Sequence, residues 1–181
     1  MKRRFALGAL AALALPGCAN YYYGDGLPRL PSLVEPQDLL SLNYQAADRL
    51  LAQVFLDPQF PVLVATLVHV DRLQESSRFG RIAAEQIAGR IVQRGLRVTE
   101  VKLRESLMLQ RDQGVLLLSR ELREVSQSQA AQAVLVGTYA PSATQVYVSL
   151  KLVAPEGNVV MAAQDYALPM DANVRLLLAA R

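Results

Sequence analysis

Cysteine and histidine are almost absent from this chain, and their scarcity excludes several classes of chemistry. Its 181 residues contain one cysteine, Cys18, and one histidine, His69. A single cysteine cannot close an internal disulfide, so the folded domain must rely on packing. Metal sites and nucleophilic triads need several converging side chains, and no such cluster or glycine-rich phosphate loop is evident. We therefore expect no metal, no cofactor and no enzymatic activity.

His69 lies at the end of an apolar segment, two residues before Asp71. Residues two apart in a strand point the same way, so their side chains are expected on one face. Two interpretations are open: a histidine satisfied at the edge of the core, or a catalytic base. The first is favoured because no serine stands in a nucleophile-elbow sequence.

The amino terminus has the three-part pattern of a secretory signal peptide. Basic residues at 2–4 are followed by the apolar run 5–15, and Gly17 supplies a small residue where cleavage is expected. The run is shorter than the roughly 20 apolar residues that span a bilayer as a helix. We therefore predict that residues 1–17 are removed on export.

The residues around the predicted cleavage site narrow this prediction. Leu15, Gly17 and Cys18 resemble a bacterial lipobox, in which the cysteine is acylated and becomes the first mature residue. Pro16 departs from the small residue usual at its place. Ala19 stands where an aspartate would resemble an inner-membrane retention signal. The resemblance implies a protein anchored by acyl chains such as palmitate on Cys18, at the periplasmic face of the outer membrane.

The net charge of the chain comes from the segment that is predicted to be removed. The whole chain has 19 lysines and arginines against 16 acidic residues, a formal charge of +3. Loss of the three basic residues at 2–4 leaves 16 of each sign, a formal charge of zero. A strongly basic chain would favour nucleic acid as a partner, and the mature chain does not have that character.

The segment that follows the cysteine differs in composition from the rest. Residues 18–36 hold tyrosines at 21–23 together with glycines and prolines, and they show neither a helical nor a strand period. Prolines favour extended chain at about 3 Å per residue, so this segment is predicted to be a tether. Its tyrosines suit either the lipid headgroup level or an ordinary linker. A single domain is predicted at residues 37–181.

Hydrophobic spacing predicts an orderly series of helices and strands in this domain. Helices show apolar residues every three to four positions, and strands are either apolar throughout or alternate in polarity. The predicted elements are a helix at 37–55, a strand at 61–70, a helix from Ser76 or Ser77 to Gly95, a strand at 96–109, a turn at 111–114, a short helix at 118–129 that Ser119 caps, strands at 133–140, 145–153 and 159–168, and a final helix that Asp171 caps.

The order of these elements after the first helix is β-α-β-α-β-β-β. A βαβ start implies right-handed crossovers with helices packed on the sheet, and the last strands form an antiparallel meander. We predict an α/β fold, one domain with a mixed sheet of about five strands. Gly80 and Gly89 lower helix propensity, so they are expected to mark close packing of the second helix on the sheet.

Arginines gather on the second helix and at its exit. They are Arg78, Arg81, Arg90, Arg94 and Arg97. One interpretation is a surface that binds a partner protein, peptidoglycan or anionic lipopolysaccharide, with the first four residues as its candidates. The other is a solvated helix face whose charge is offset by Glu85 and Glu100.

The stretch from about Asn43 to Leu168 resembles the FlgO domain, which occurs in exported flagellar outer-membrane lipoproteins. The resemblance rests on the order and spacing of PVLVATLVHVD, SSRFGRIAAEQIAGRIVQRG, VTEVKLRESLML, GVLLLSRELREV, AQAVLVGTY and VYVSLKLV…GNVV. Its best-marked pieces are Gly80-Arg81, Leu118-Ser119-Arg120 and Val136-Gly137-Thr138-Tyr139. Gln132 stands where relatives often have an aspartate. The topology is also similar to the amino-terminal domains of CsgG and TolB, which are assembly or interaction modules.

This resemblance implies a non-enzymatic role for the chain. It implies a lipid-anchored, periplasm-facing protein that supports the flagellar basal body or the outer membrane through protein–protein contacts. The implied partners are the outer membrane, reached through lipid on Cys18, and flagellar or other envelope proteins. The alternative is a general envelope module that binds peptidoglycan or a secretion complex.

Overall fold

The computed structural model describes residues 38–101 and 120–179. The elements in this part of the chain are α1 Leu39–Leu51, β1 Val62–Ala65, β2 Val68–His69, α2 Arg78–Gln93, β3 Val98–Val101, α3 Arg120–Ser128, β4 Ala133–Pro141, β5 Gln145–Val153, β6 Val160–Pro169 and α4 Ala172–Ala179. The predicted signal peptide, the tether, the turn at 111–114 and Ser119 lie outside the described residues. So do residues 102–109 of the predicted strand at 96–109, of which the described part is β3.

The strands form one mixed sheet in the order β3-β1-β4-β5-β6, and the two-residue β2 pairs with β4. β1 pairs in parallel with β3 and β4, whereas β5 pairs antiparallel with β4 and β6. Parallel neighbours need a crossover connection, and α2 and α3 lie in the two connections. The sheet confirms the predicted α/β fold with a mixed sheet and an antiparallel meander at its end.

Both faces of the sheet are covered where its parallel strands lie. Every residue of β1 is buried, which confirms the prediction of a central strand apolar on both sides. Val62 and Val64 face a large core formed with α1, α2 and α4. Leu63 and Ala65 face a smaller cluster to which α3 contributes Val125.

The predicted strand at 61–70 is wrong in one respect, because the chain breaks it into β1 and β2. Between them, the backbone carbonyl of Leu67 accepts a hydrogen bond of 2.7 Å from the Ser76 hydroxyl instead of continuing the ladder. The side chain of Leu67 turns into the main core beneath α2. The local contact with α2 therefore overrides a run of strand-forming residues.

The first helix is shorter than the predicted 37–55. It begins after its N-cap Asp38, which accepts a hydrogen bond from the Ser41 amide, and ends at Leu51. The following turn is tighter, since the amide of Gln53 bonds to the carbonyl of Leu50. Phe55, the last residue of the predicted helix, lies beyond α1 and is exposed.

Helix ends elsewhere follow the predicted capping residues. Ser77, rather than Ser76, caps α2 and accepts from the amide of Gly80. Gly95 takes a positive φ of 85° just past α2, a conformation that glycine adopts without strain. Asp171 caps α4 by accepting 2.7 Å from the amide of Val174.

Candidate interaction surface

His69 is held by local contacts at the end of β2. Its Nδ1 accepts a hydrogen bond of 3.1 Å from the Asp71 amide, and a carboxylate oxygen of Asp71 lies 3.9 Å from the same nitrogen. The ring meets Tyr139 edge to face at 5.5 Å between centroids. Among the described residues, no three His, Cys, Asp or Glu side chains come close enough to hold a metal ion. These contacts favour the interpretation of His69 as a packed residue.

Gly80 and Tyr139, which belong to the best-marked sequence pieces, meet where α2 approaches the sheet. The backbone amide of Ser77 donates 3.0 Å to the Tyr139 hydroxyl, whose ring also packs edge-on against Phe79. A Cβ added to Gly80 would lie 2.3 Å from the carbonyl oxygen of Leu67 and 2.9 Å from the Tyr139 ring. These residues fix the start of α2 against β2 and β4.

Gly89 does not share this role, so the prediction of close packing at both glycines is wrong for one of them. A Cβ added to Gly89 would meet nothing within 4 Å. Gly89 therefore costs helix propensity without permitting a close approach to the sheet.

Gln132 closes the turn that leads into β1. Its Oε1 accepts 2.8 Å from the amide of Asp57, and its Nε2 donates to the carbonyls of Asp57 and Phe60 at 2.7 and 2.6 Å. An aspartate could accept but could not donate these two hydrogen bonds. The amide at position 132 is thus tied to the conformation of residues 57–60.

The four candidate arginines fall on two different sides of α2. Rotation of about 100° per residue puts Arg90 and Arg94 roughly 120–180° around the helix from Arg78 and Arg81. Arg78 and Arg81 are exposed, and within the described ranges neither one makes an ion pair. The structure therefore does not bring the four together on one face.

Arg90 and Arg94 instead clamp α2 to α1 through Asp48. Arg90 donates from Nε and one terminal nitrogen to the two oxygens of Asp48 at 2.9 and 2.8 Å. Arg94 donates from Nε at 2.7 Å, and its terminal nitrogen lies 2.7 Å from the other oxygen. Hydrogen bonds from Arg94 and Arg90 hold the pKa of the Asp48 carboxyl well below its usual range. This pair is occupied within the domain.

A buried polar chain joins α1, α2 and β6, and the sequence reasoning did not identify it. Asn43 is fully buried; its amide nitrogen donates 2.7 Å to Gln86, and its oxygen accepts from the hydroxyl of Tyr166. Burial raises the pKa of the Tyr166 phenol. The one available signal was an asparagine among the apolar positions of the first helix.

No helix in the described ranges is long and apolar enough to cross a membrane. Cys18, the predicted acylation site, precedes those ranges.

Comparisons with known proteins find one matching family and several similar folds for this domain. A family model described as FlgO protein matches residues 44–173. The LpoB C-terminal domain from Salmonella enterica superposes with a TM-score of 0.51 at 12% identity, over 73% of this chain and 98% of that one. The LpoB C-terminal domain from Escherichia coli gives a TM-score of 0.50 at 13% identity, with the same coverage. At such identities the likeness concerns the fold alone. No curated protein sequence matches the chain.

Proposed function

The chain belongs to the FlgO family, and from this premise we propose that it is a non-enzymatic, lipid-anchored envelope protein that works through protein–protein contacts. The family match over residues 44–173 is the observation that carries the proposal. The finer role we propose is support of the flagellar basal body or of the outer membrane at its periplasmic face. The lipobox-like residues that end in Cys18 would supply the anchor.

We assign the partner contact to the side of α2 that carries Arg78 and Arg81. Both side chains are exposed there, whereas Arg90 and Arg94 are engaged by Asp48. The guanidinium group presents five donors in a fork that matches a carboxylate, so this side of α2 suits an acidic protein surface. Exposed charges of this kind act mainly on the rate and selectivity of association.

The proposal is tested in the organism that carries the gene. Deletion is expected to reduce swimming and to leave basal bodies that separate from the outer membrane during purification. The double variant Arg78→Glu, Arg81→Glu should reproduce the defect with normal protein levels. A matched charge reversal at Arg123, exposed on α3, should not.

Two outcomes would contradict parts of this proposal. Normal swimming with intact flagella after deletion would remove the flagellar role. Recovery of the purified chain with isolated sacculi, unaffected by the Arg78→Glu, Arg81→Glu change, would favour peptidoglycan binding and remove the assigned surface.

A further inference from the structure

Four large apolar side chains are exposed at one end of the sheet. We call this end of the sheet the basal end. The strand residues that mark it pair with one another or lie next to such a pair; they are Val62, Val98, Ala133, Val153 and Val160. The connection 52–61 enters β1 there and exposes Phe55 by 91% and Phe60 by 47%. At the same end, Val159 in the turn between β5 and β6 is exposed by 60%, and Val160, the first residue of β6, is exposed by 45%. Exposed apolar side chains that gather in one patch can mark a site of protein or membrane interaction.

The connection that carries the two phenylalanines is firmly held. Leu56, between them in sequence, is buried in the main core. Gln53 bonds to the backbone of Ala163, and Gln132 bonds to the backbone of Asp57 and Phe60. The phenylalanines therefore project outward because the chain around them is fixed.

The basal end carries both basic and acidic side chains. It therefore has no excess of negative charge that would repel the phosphate groups of a lipid layer. Arg49 is exposed in the last turn of α1, just before the connection 52–61, and Arg97 is exposed and donates 3.2 Å to the carbonyl of Gln59, next to Phe60. Among the described connections at this end, the acidic residues are Asp57 and Glu156. One oxygen of Asp57 accepts 2.8 Å from the Gln59 amide, which turns that carboxylate toward its own loop. Arginines beside projecting apolar side chains suit the headgroup region of a bilayer.

We propose that the basal end is a lipid-contact surface, with Phe55 and Phe60 entering the interfacial layer of the membrane that carries the anchor. This inference rests on the proposed lipid anchor, which would hold the domain close to a membrane. The 20 residues at 18–37 can extend about 60 Å at roughly 3 Å each. A helix of the length of α1 spans only about 20 Å. The chain outside the described domain is therefore long enough for either end of the sheet to reach the bilayer.

For a domain that is tethered to a membrane, a weak contact with lipid is sufficient to orient it. An anchored domain experiences an effective lipid concentration that a free domain does not, so a few apolar side chains can set its orientation. The four residues belong to two short segments, the connection 52–61 and the turn that leads into β6 at Val160. A few projecting apolar side chains of this kind suit insertion between lipid headgroups.

Tryptophan fluorescence tests the inference directly because the chain has no tryptophan. Phe55→Trp places a single reporter at the basal end, and its high exposure makes the change compatible with the fold. Val70→Trp is the matched control, since Val70 is exposed at the opposite end of the sheet, beyond β2. Each full-length acylated protein is reconstituted into phosphatidylethanolamine–phosphatidylglycerol vesicles with and without brominated acyl chains.

The expected result is a blue shift and bromine quenching for Phe55→Trp and neither for Val70→Trp. Equal, water-like emission from both reporters would overturn the lipid-contact surface. A shift of Phe55→Trp that needs an added envelope extract instead of vesicles would overturn it in favour of a protein-docking surface.

A second experiment distinguishes membrane binding through the anchor from membrane binding through the basal end. Palmitate labelling of the same preparations reports on Cys18, independently of fluorescence. The Cys18→Ala protein, which lacks the predicted acylation site, is then mixed with excess vesicles, so that any binding must come from the domain. Adding Phe55→Asp and Phe60→Asp to the Cys18→Ala protein should weaken this binding several-fold while leaving the circular dichroism spectrum unchanged. Equal binding by both proteins would overturn the inference even if the anchor is shown.

Discussion

The side chain of Gln53 makes a pair of hydrogen bonds to the backbone of Ala163. Its Nε2 donates 2.9 Å to the carbonyl of Ala163, and its Oε1 accepts from the amide of Ala163 at 3.3 Å. Ala163 lies in β6, an edge strand of the sheet. The carboxamide therefore takes the place of a peptide unit in a neighbouring strand, and it blocks one position where a second chain could pair.

Gln53→Ala is expected to promote self-association through the edge of β6. The loss exposes both backbone groups of Ala163 without removing any core side chain. Sedimentation velocity over a range of concentrations should show an additional, larger species relative to the parent protein. Gln59→Ala, which changes another exposed glutamine of the same connection, should behave as the parent does.

A second change identifies the edge as the route. Outward-facing amides alternate along a strand, so Ala167 points its N–H the same way as Ala163. Ala167→Pro therefore removes an edge donor without breaking the ladder to β5. Added to Gln53→Ala, it should abolish the larger species. A larger species that persists would show that association uses another surface.

The two glycines of α2 should respond to alanine in opposite directions. At Gly80 a methyl group would lie 2.3 Å from the carbonyl oxygen of Leu67, so Gly80→Ala should destabilise the domain by about 2 kcal/mol or more. At Gly89 nothing lies within 4 Å, and alanine should add about 0.5–1 kcal/mol through helix propensity. Urea unfolding of both variants checks the pair. Equal signs would contradict the packing described for α2.

Asp48→Asn should weaken the contact between α1 and α2 by about 1 kcal/mol at pH 7, because the site is only partly buried. Hydrogen bonding to Arg94 and Arg90 lowers the pKa of Asp48 in the folded state. Its stabilisation is therefore complete above the unfolded pKa of about 3.9 and is lost as pH falls from there toward the lowered pKa. Unfolding free energies should converge for variant and parent in acid. Glu85→Gln, a change of an exposed carboxylate on α2, should have little effect at pH 7.

Tyr166→Phe should cost about 1–3 kcal/mol, because it leaves the buried oxygen of Asn43 without its donor. Tyr147→Phe is the control, since that ring is exposed on β5. Burial raises the pKa of Tyr166, so Tyr166→Phe should leave the absorbance change near the ordinary tyrosine pKa of about 10 unchanged when the folded protein is titrated with alkali. Stability from the protonated phenol is held below the unfolded pKa of about 10 and declines above it. A smaller absorbance change in Tyr166→Phe than in the parent over that range would be inconsistent with the buried chain.

Local patterns were sufficient to predict most elements of this domain. The capping residues Ser77, Gly95 and Asp171 act where they were expected, because caps depend on a few neighbouring backbone groups. Alternation in β5 likewise places Val146, Val148 and the leucines that follow in the core. The uniformly apolar β1 lies between β3 and β4, as its composition indicated.

The candidate surface shows where local patterns stop being sufficient. The sequence pattern gathered arginines on the second helix and at its exit, but the position of Asp48 on another helix decides that Arg90 and Arg94 are engaged. The pairing of Asn43 with Tyr166 joins residues 123 positions apart. Such contacts depend on how α1 packs on the sheet, and no periodicity in either segment contains that information.

The α/β class and the family resemblance follow from the order, spacing and local propensities of the residues, and the predictions of export and of acylation at Cys18 rest on the same kind of information. The packing of helices on the sheet decides that Leu67 interrupts the first strand, that Gly80 and Gly89 differ, and that Phe55 is exposed at the basal end. Each of those outcomes is set by atoms distant in sequence, whose approach is fixed only when helices and sheet pack together.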